Sequence, residues 1–145
     1  MSGSTPKRKS GFISVEIAIH TDFDSDALIQ YFEDQDNFVA KVESVSHKWH
    51  IYFAPIPCKD ADTTILSLCE MIRGLPSNVR HDWDMAADRE FFAGYRVGGD
   101  PCCFTEHLKP KTLKAAFDLD AGIGYALYPA PPPFDPNSTC ADAES

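Results

Sequence analysis

The densest group of chemically capable residues is His81-Asp82-Trp83-Asp84, with Arg89 shortly after it. An aspartate beside a histidine can orient an imidazole for general-base work. Asp82, Asp84 and Arg89 would add the charges that a hydrolase-type reaction or a small-molecule site needs. His81, Asp82, Asp84 and Arg89 are therefore the candidate catalytic residues. The same segment also fits a capped turn, in which Asp82 or Asp84 accepts backbone amides and Trp83 packs on the core.

Metal chemistry has weaker support. The chain has no CxxC and no HxxxH spacing. His47 and His50 fall on opposite faces of a strand, because side chains there alternate. His20 and His50 are the candidate metal ligands, provided that their strands are neighbours; Glu16 or Asp22 would complete a zinc set. The run Asp22-x-Asp24-x-Asp26 puts Glu33 where a calcium loop has its bidentate glutamate, but Ala27 occupies the position that needs glycine. Aspartates at the start of a helix act more simply as caps and complement its dipole. No cofactor is expected.

The five cysteines are Cys58, Cys69, Cys102, Cys103 and Cys140. Adjacent Cys102 and Cys103 lack the two-residue gap of redox motifs. Cys58 with His47, His50 or His81 would make a nucleophilic pair, but no oxyanion-hole motif accompanies them. Gly94, Gly98 and Gly99 do not follow a phosphate-loop pattern. Pro129 with Pro132, and Pro133 with Pro136, meet the spacing of a polyproline ligand, which a plain spacer also satisfies.

These residues need elements to position them. Residues 12–20 alternate, with Ile13, Val15, Ile17 and Ile19 on one face, which predicts a strand. Leu28, Tyr31 and Phe32 predict a helix over 25–35. Residues 38–45 and 47–54 read as a hairpin that turns at Ser44–Ser46. Ile65, Leu68, Cys69, Ile72 and Leu75 form a helical stripe over 62–73, capped by Asp62 or Thr63. Residues 77–88 read as a connection. Residues 89–97 alternate again, and Cys102–Glu106 suggests a short strand. Pro110, Leu113, Ala116 and Phe117 predict a helix at 110–119, followed by a strand at 123–128 with Ile123, Tyr125 and Leu127 on one face.

The expected fold is α+β: an antiparallel-rich sheet with helices packed on one face. It has a ferredoxin-like βαββαβ core and a C-terminal α-β extension. Residues 1–10 read as a flexible basic lead, 11–129 as a single domain and 130–145 as a Pro-rich tail. The uncovered sheet face would carry Glu16, His20, Lys48 and Glu90 together with His50, Tyr52, Phe92 and Arg96. The last four are the candidate binding residues.

The chain has 145 residues, with 13 basic against 22 acidic and a net charge of −9. Lys7, Arg8 and Lys9 concentrate positive charge at the start, so the remainder is more acidic still. That sign repels phosphate backbones, and nucleic acid is not an expected partner. No apolar run approaches the length of a membrane span, and no targeting segment is read at the start. Reduced thiols in the cytoplasm follow as the expectation.

Trp83-Asp84-x-Ala86-x-x-Arg89-x-Phe91-x-x-Gly94-Tyr95 and Ala121-Gly122-Ile123-Gly124-Tyr125-Ala126-Leu127-Tyr128-Pro129 resemble a bacterial family, the domain of unknown function 4279. The resemblance is specific at 83–95 and 121–129 and extends in layout over most of 11–129. It implies an α+β domain in a bacterial cytosol and brings no catalytic residues with it. Beside it stand three readings from the residues. The first is a protein-binding module, of an immunity or antitoxin kind, whose acidic body faces a basic partner. The second is a small-molecule or hydrolase-type site at His81–Arg89. The third is a self-associating domain, a homodimer through an exposed sheet edge or face.

Overall fold

In the computed structural model, which describes residues 9–35, 38–43, 48–55, 57 and 59–129, the first alternating run becomes β1 (Gly11–Thr21). Val15, Ile17 and Ile19 are fully buried, as period-two patterning requires. Ile13 departs from the pattern. The pairing of β1 with β4 (Asp88–Val97) shifts between Phe12 and Ser14, so Ile13 is the extra residue of a β-bulge. The bulge leaves Ile13 exposed and turns Phe12 inward, edge-on to the Tyr95 ring at 6.0 Å.

After β1 the chain forms α1 (Asp26–Asp34), β2 (Phe38–Glu43), β3 (Trp49–Ala54), α2 (Ala61–Arg73), α3 (Ser77–Met85), β4, α4 (Pro110–Asp118) and β5 (Gly122–Pro129). Two expectations are corrected. Residues 77–85 form a helix rather than a connection, because Val79 and Trp83, one turn apart, give a mostly polar segment one buried stripe. Residues 102–106 form no strand. The turn at Ser44–Ser46, Cys58, His47, Cys140, the Lys7–Arg8 pair and the segment 130–145 lie outside the described residues. Lys9 and Ser10, assigned to the flexible lead, are held in place. Lys9 bridges to Asp100, and Ser10 Oγ accepts from Gly99 N–H at 2.7 Å.

The class is α+β. The sheet is mixed, with strand order β2-β3-β1-β4-β5. β1 pairs antiparallel with both β3 and β4, β2 pairs antiparallel with β3, and β5 runs parallel to β4 along its outer side. The inward residues of β1, β3 and β4 join the apolar stripes of the helices in one core. Phe32 stacks on Phe53 at 4.0 Å there, and Trp83 lies against Phe91 at 6.4 Å. α2 has the strongest local logic, although its cap is Asp60 rather than Asp62 or Thr63: the Asp60 carboxylate accepts from Thr63 N–H at 2.8 Å, and Ile65, Leu68, Cys69 and Ile72 are buried. No helix among the described residues is long and apolar enough to cross a membrane.

Candidate functional site

His81, Asp82, Asp84 and Arg89 do not meet in one site. His81 is exposed on α3. The Asp82 carboxylate turns the other way and accepts from Leu28 N–H at 3.3 Å, so it caps α1 from outside. Ser25 holds the N-cap position itself, but its hydroxyl is buried and unbonded. Asp84 accepts from Arg80 Nε at 3.0 Å, one turn away on the same helix.

Arg89 is absorbed by backbone. Its Nε donates to the Trp83 carbonyl at 2.8 Å, its Nη2 to Asp84 and Ala86 at 3.0 Å each, and its Nη1 to Asp120 at 3.2 Å. These carbonyls lie at the ends of α3 and α4, where helices leave acceptors unpaired. Trp83 ties the same corner, donating through Nε1 to the Leu119 carbonyl at 3.3 Å.

His20 and His50 do come together, because they are opposite in the β1–β3 register. Their rings are 4.4 Å apart and nearly perpendicular, and His20 Nδ1 lies 3.7 Å from Asp88 Oδ2. Among the described residues, however, no three His, Cys, Asp or Glu side chains are arranged to hold a metal ion. The remaining binding candidates share the uncovered sheet face. Ala18 stands between Tyr52 and Glu90 in register, Glu16 is opposite Phe92, and Arg96 is beside Tyr128. Phe92 lies over Gly124, where an added Cβ would meet the ring at 2.6 Å. A larger residue at 124 would therefore displace Phe92.

The thiols separate by burial. Cys69 is buried in the core, and loss of solvation pushes its thiol up to about 11. Cys102 and Cys103 are exposed and free. Burial also raises the Tyr95 phenol, helped by the charge of Glu106, whose carboxylate accepts from Tyr95 at 3.3 Å. Tyr95 is thus a neutral donor at physiological pH.

The topology gathers acidic residues that are far apart in sequence. Asp22 and Asp24 follow β1, and Asp26 opens α1. Asp82 reaches the first turn of α1, Asp84 is two residues further along α3, and Asp88 opens β4 opposite His20. Asp118 and Asp120 end α4 beside the start of β5. All belong to one end of the sheet, the end where β1 stops and β4 and β5 begin. Of the cations at that end among the described residues, Arg80 is paired with Asp84 and Lys114 with Asp118, Arg89 is held by carbonyls, and Lys48 precedes β3 where Trp49 pairs with Thr21. Along the sequence, Asp22, Asp24, Asp26, Asp82 and Asp84 fit separate caps and turns. The common signal was their position at the ends of elements meeting at one pole.

The second feature not singled out from sequence is apolar exposure along β5 and α4. Tyr125 and Leu127, on the same strand face as Ile123, are 60% and 62% exposed. Of the residues that mark α4, Leu113 and Phe117 are 47% and 78% exposed, while Thr112, Ala115 and Ala116 take the inward positions. Compared with known proteins, the chain matches no family model, no curated protein and no solved structure.

Proposed function

We propose that the chain is a protein-binding module whose acidic pole engages a basic protein partner, in the manner of an immunity or antitoxin protein. The observation that supports this most directly is the convergence of Asp22, Asp24, Asp26, Asp82, Asp84 and Asp88 at one end of the sheet. A surface of one sign accelerates encounter with an oppositely charged partner by a factor of roughly 10 to 10³. It also suppresses wrong partners of the same sign. The half-exposed aromatics Tyr52 and Phe92, on the adjoining sheet face, supply apolar anchors of the kind that carry binding energy.

Two finer assignments belong to this proposal. The order β2-β3-β1-β4 is read as the split βαβ, ferredoxin-like arrangement, with α4 and β5 as an extension of it. Kinship with the bacterial domain of unknown function 4279 rests on residues 83–95 and 121–129, and a cytoplasmic setting goes with it.

The test is native mass spectrometry of the full chain purified untagged from its host, at two ionic strengths. The expected result is a complex with a second, basic chain. Its occupancy falls at high salt and in the double variant Asp22→Asn/Asp88→Asn. A partner of neutral or acidic charge, or a complex indifferent to salt and to those substitutions, would overturn the reading.

A further inference from the structure

The sheet has one edge whose chemistry is unusual for a free edge. β5 is the last strand in the order, with eight residues and no neighbour on its outer side among the described residues. Natural edge strands are protected against pairing by charge, internal proline, bulges or shortness. β5, Gly122-Ile123-Gly124-Tyr125-Ala126-Leu127-Tyr128-Pro129, carries no charge, and its only proline is its last residue. Its pairing with β4 runs from Glu90↔Gly122 to Val97↔Pro129 without a register shift. Unpaired strand amides and carbonyls beside exposed Tyr125, Leu127 and Tyr128 are a template for another strand.

The helix beside it extends the apolar surface. β-α-β crossovers between parallel strands are right-handed almost without exception. With Thr112, Ala115, Ala116 and Leu119 packed inward, that hand turns the Leu113–Phe117 flank of α4 toward the β5 side. Leu113, Phe117, Tyr125 and Leu127 then border the same edge.

We infer that the β5 edge is a homodimer interface, in which β5 of a second copy adds antiparallel about a two-fold axis at Tyr125. The strand is self-complementary in that register. On the helix side Tyr125 meets its own copy and Ile123 meets Leu127, both favourable cross-strand pairs. On the other face Gly124 meets Ala126, and Gly122 leaves room for the bulky Tyr128.

Charge is compatible with a second copy in this orientation. The start of β5 is flanked by Glu90 and Asp120, with Asp118 paired to Lys114, and its end by Arg96 and the Lys109–Lys111 segment that opens α4, with Glu106 bonded to Tyr95. An antiparallel partner sets Glu90 and Asp120 of one copy toward Arg96 and the Lys109–Lys111 segment of the other. It also places the two acidic poles at opposite ends of the joined sheet. A parallel partner would place like charges together. The strand and helix contacts of this interface, at Leu113, Phe117, Ile123, Tyr125 and Leu127, do not include Asp22 or Asp88, so it stands or falls separately from the binding function.

The experiment is sedimentation equilibrium of the full chain over roughly a hundredfold concentration range, with Leu127→Lys and Phe117→Lys as variants. Both positions are exposed, and circular dichroism and melting temperature serve as the folding check. Wild type is expected to dimerise. Leu127→Lys should weaken the dimer at least tenfold, and Phe117→Lys should weaken it less, with melting at high dilution unchanged. Hydrogen exchange should show β5 amides protected in the dimer and exposed on dilution. A monomer throughout the range would overturn the inference. So would a dimer unaffected by both variants, or β5 amides equally protected at every concentration.

Discussion

Arg89 shows how far a residue type can mislead when its partners are backbone atoms. A guanidinium close to His81, Asp82 and Asp84 in sequence suggests anion binding or catalysis. In the fold its donors satisfy four carbonyls at the ends of α3 and α4. Arginine's planar fork supplies five donors in fixed directions, whereas a lysine ammonium is a compact point charge on a flexible stem. Arg89→Lys is therefore expected to keep the charge and lose most of the network, lowering stability by about 2 kcal/mol. Urea unfolding followed by tryptophan fluorescence measures this, since Trp83 sits at the same corner. A change below about 0.5 kcal/mol would show that the four contacts do not cooperate. The identity of Trp83 as a core residue was legible from the sequence. The destination of Arg89 was not, because carbonyl acceptors belong to every residue and leave no mark in residue type. Ser25 and Asp82 repeat the lesson. A serine before a helix reads as a cap, yet the bonded cap comes from a different helix.

At the level of elements, strong periodicity was legible and local exceptions were not. The buried stripe of α2 and the alternation of β4 matched their patterns. Ile13 followed the pattern of β1 but was displaced by a bulge that depends on pairing with β4. α3 was missed because only Val79 and Trp83 mark its buried side. The end of α4 carries a testable cost. Asp120 adopts φ of 56°, the left-handed region, and Ala121 N–H closes the turn on the Ala116 carbonyl at 3.0 Å. Glycine pays no steric penalty there and is the usual residue at this position. The aspartate also puts negative charge at the negative end of the helix dipole. Asp120→Gly should raise stability by about 0.5–1 kcal/mol, because the bond from Arg89 goes to the Asp120 backbone carbonyl and survives the change. Thermal unfolding by calorimetry would show it, and a lower melting temperature would mean that the carboxylate has a stabilising role in the corner.

Across the whole molecule, the sequence revealed the net charge but not its placement. Assembling the pole takes the sheet order, which brings the end of β1 beside the start of β4, and the packing of α3 against α1. Gathering like charges costs stability, so a pole kept for binding leaves a thermodynamic trace. Asp22 is exposed and lies within the pole, while Asp100 is exposed at the opposite end, beyond β4. Neutralising each removes one negative charge from the same chain. If the repulsion is local, Asp22→Asn raises the melting temperature at low ionic strength, by about 1–3 °C for a few tenths of a kcal/mol. Asp100→Asn raises it less. Screening should erase the difference, since the Debye length falls from about 30 Å at 0.01 M to about 3 Å at 1 M. Melting curves of the two variants and wild type at those two ionic strengths decide the matter. Equal gains from both variants would mean that the excess negative charge acts as a diffuse field over the whole surface, and the pole would lose its claim to be a distinct feature. A gain confined to Asp22→Asn and abolished by salt, together with weaker binding of a basic partner by the same variant, would tie the cost in stability and the gain in recognition to one set of carboxylates.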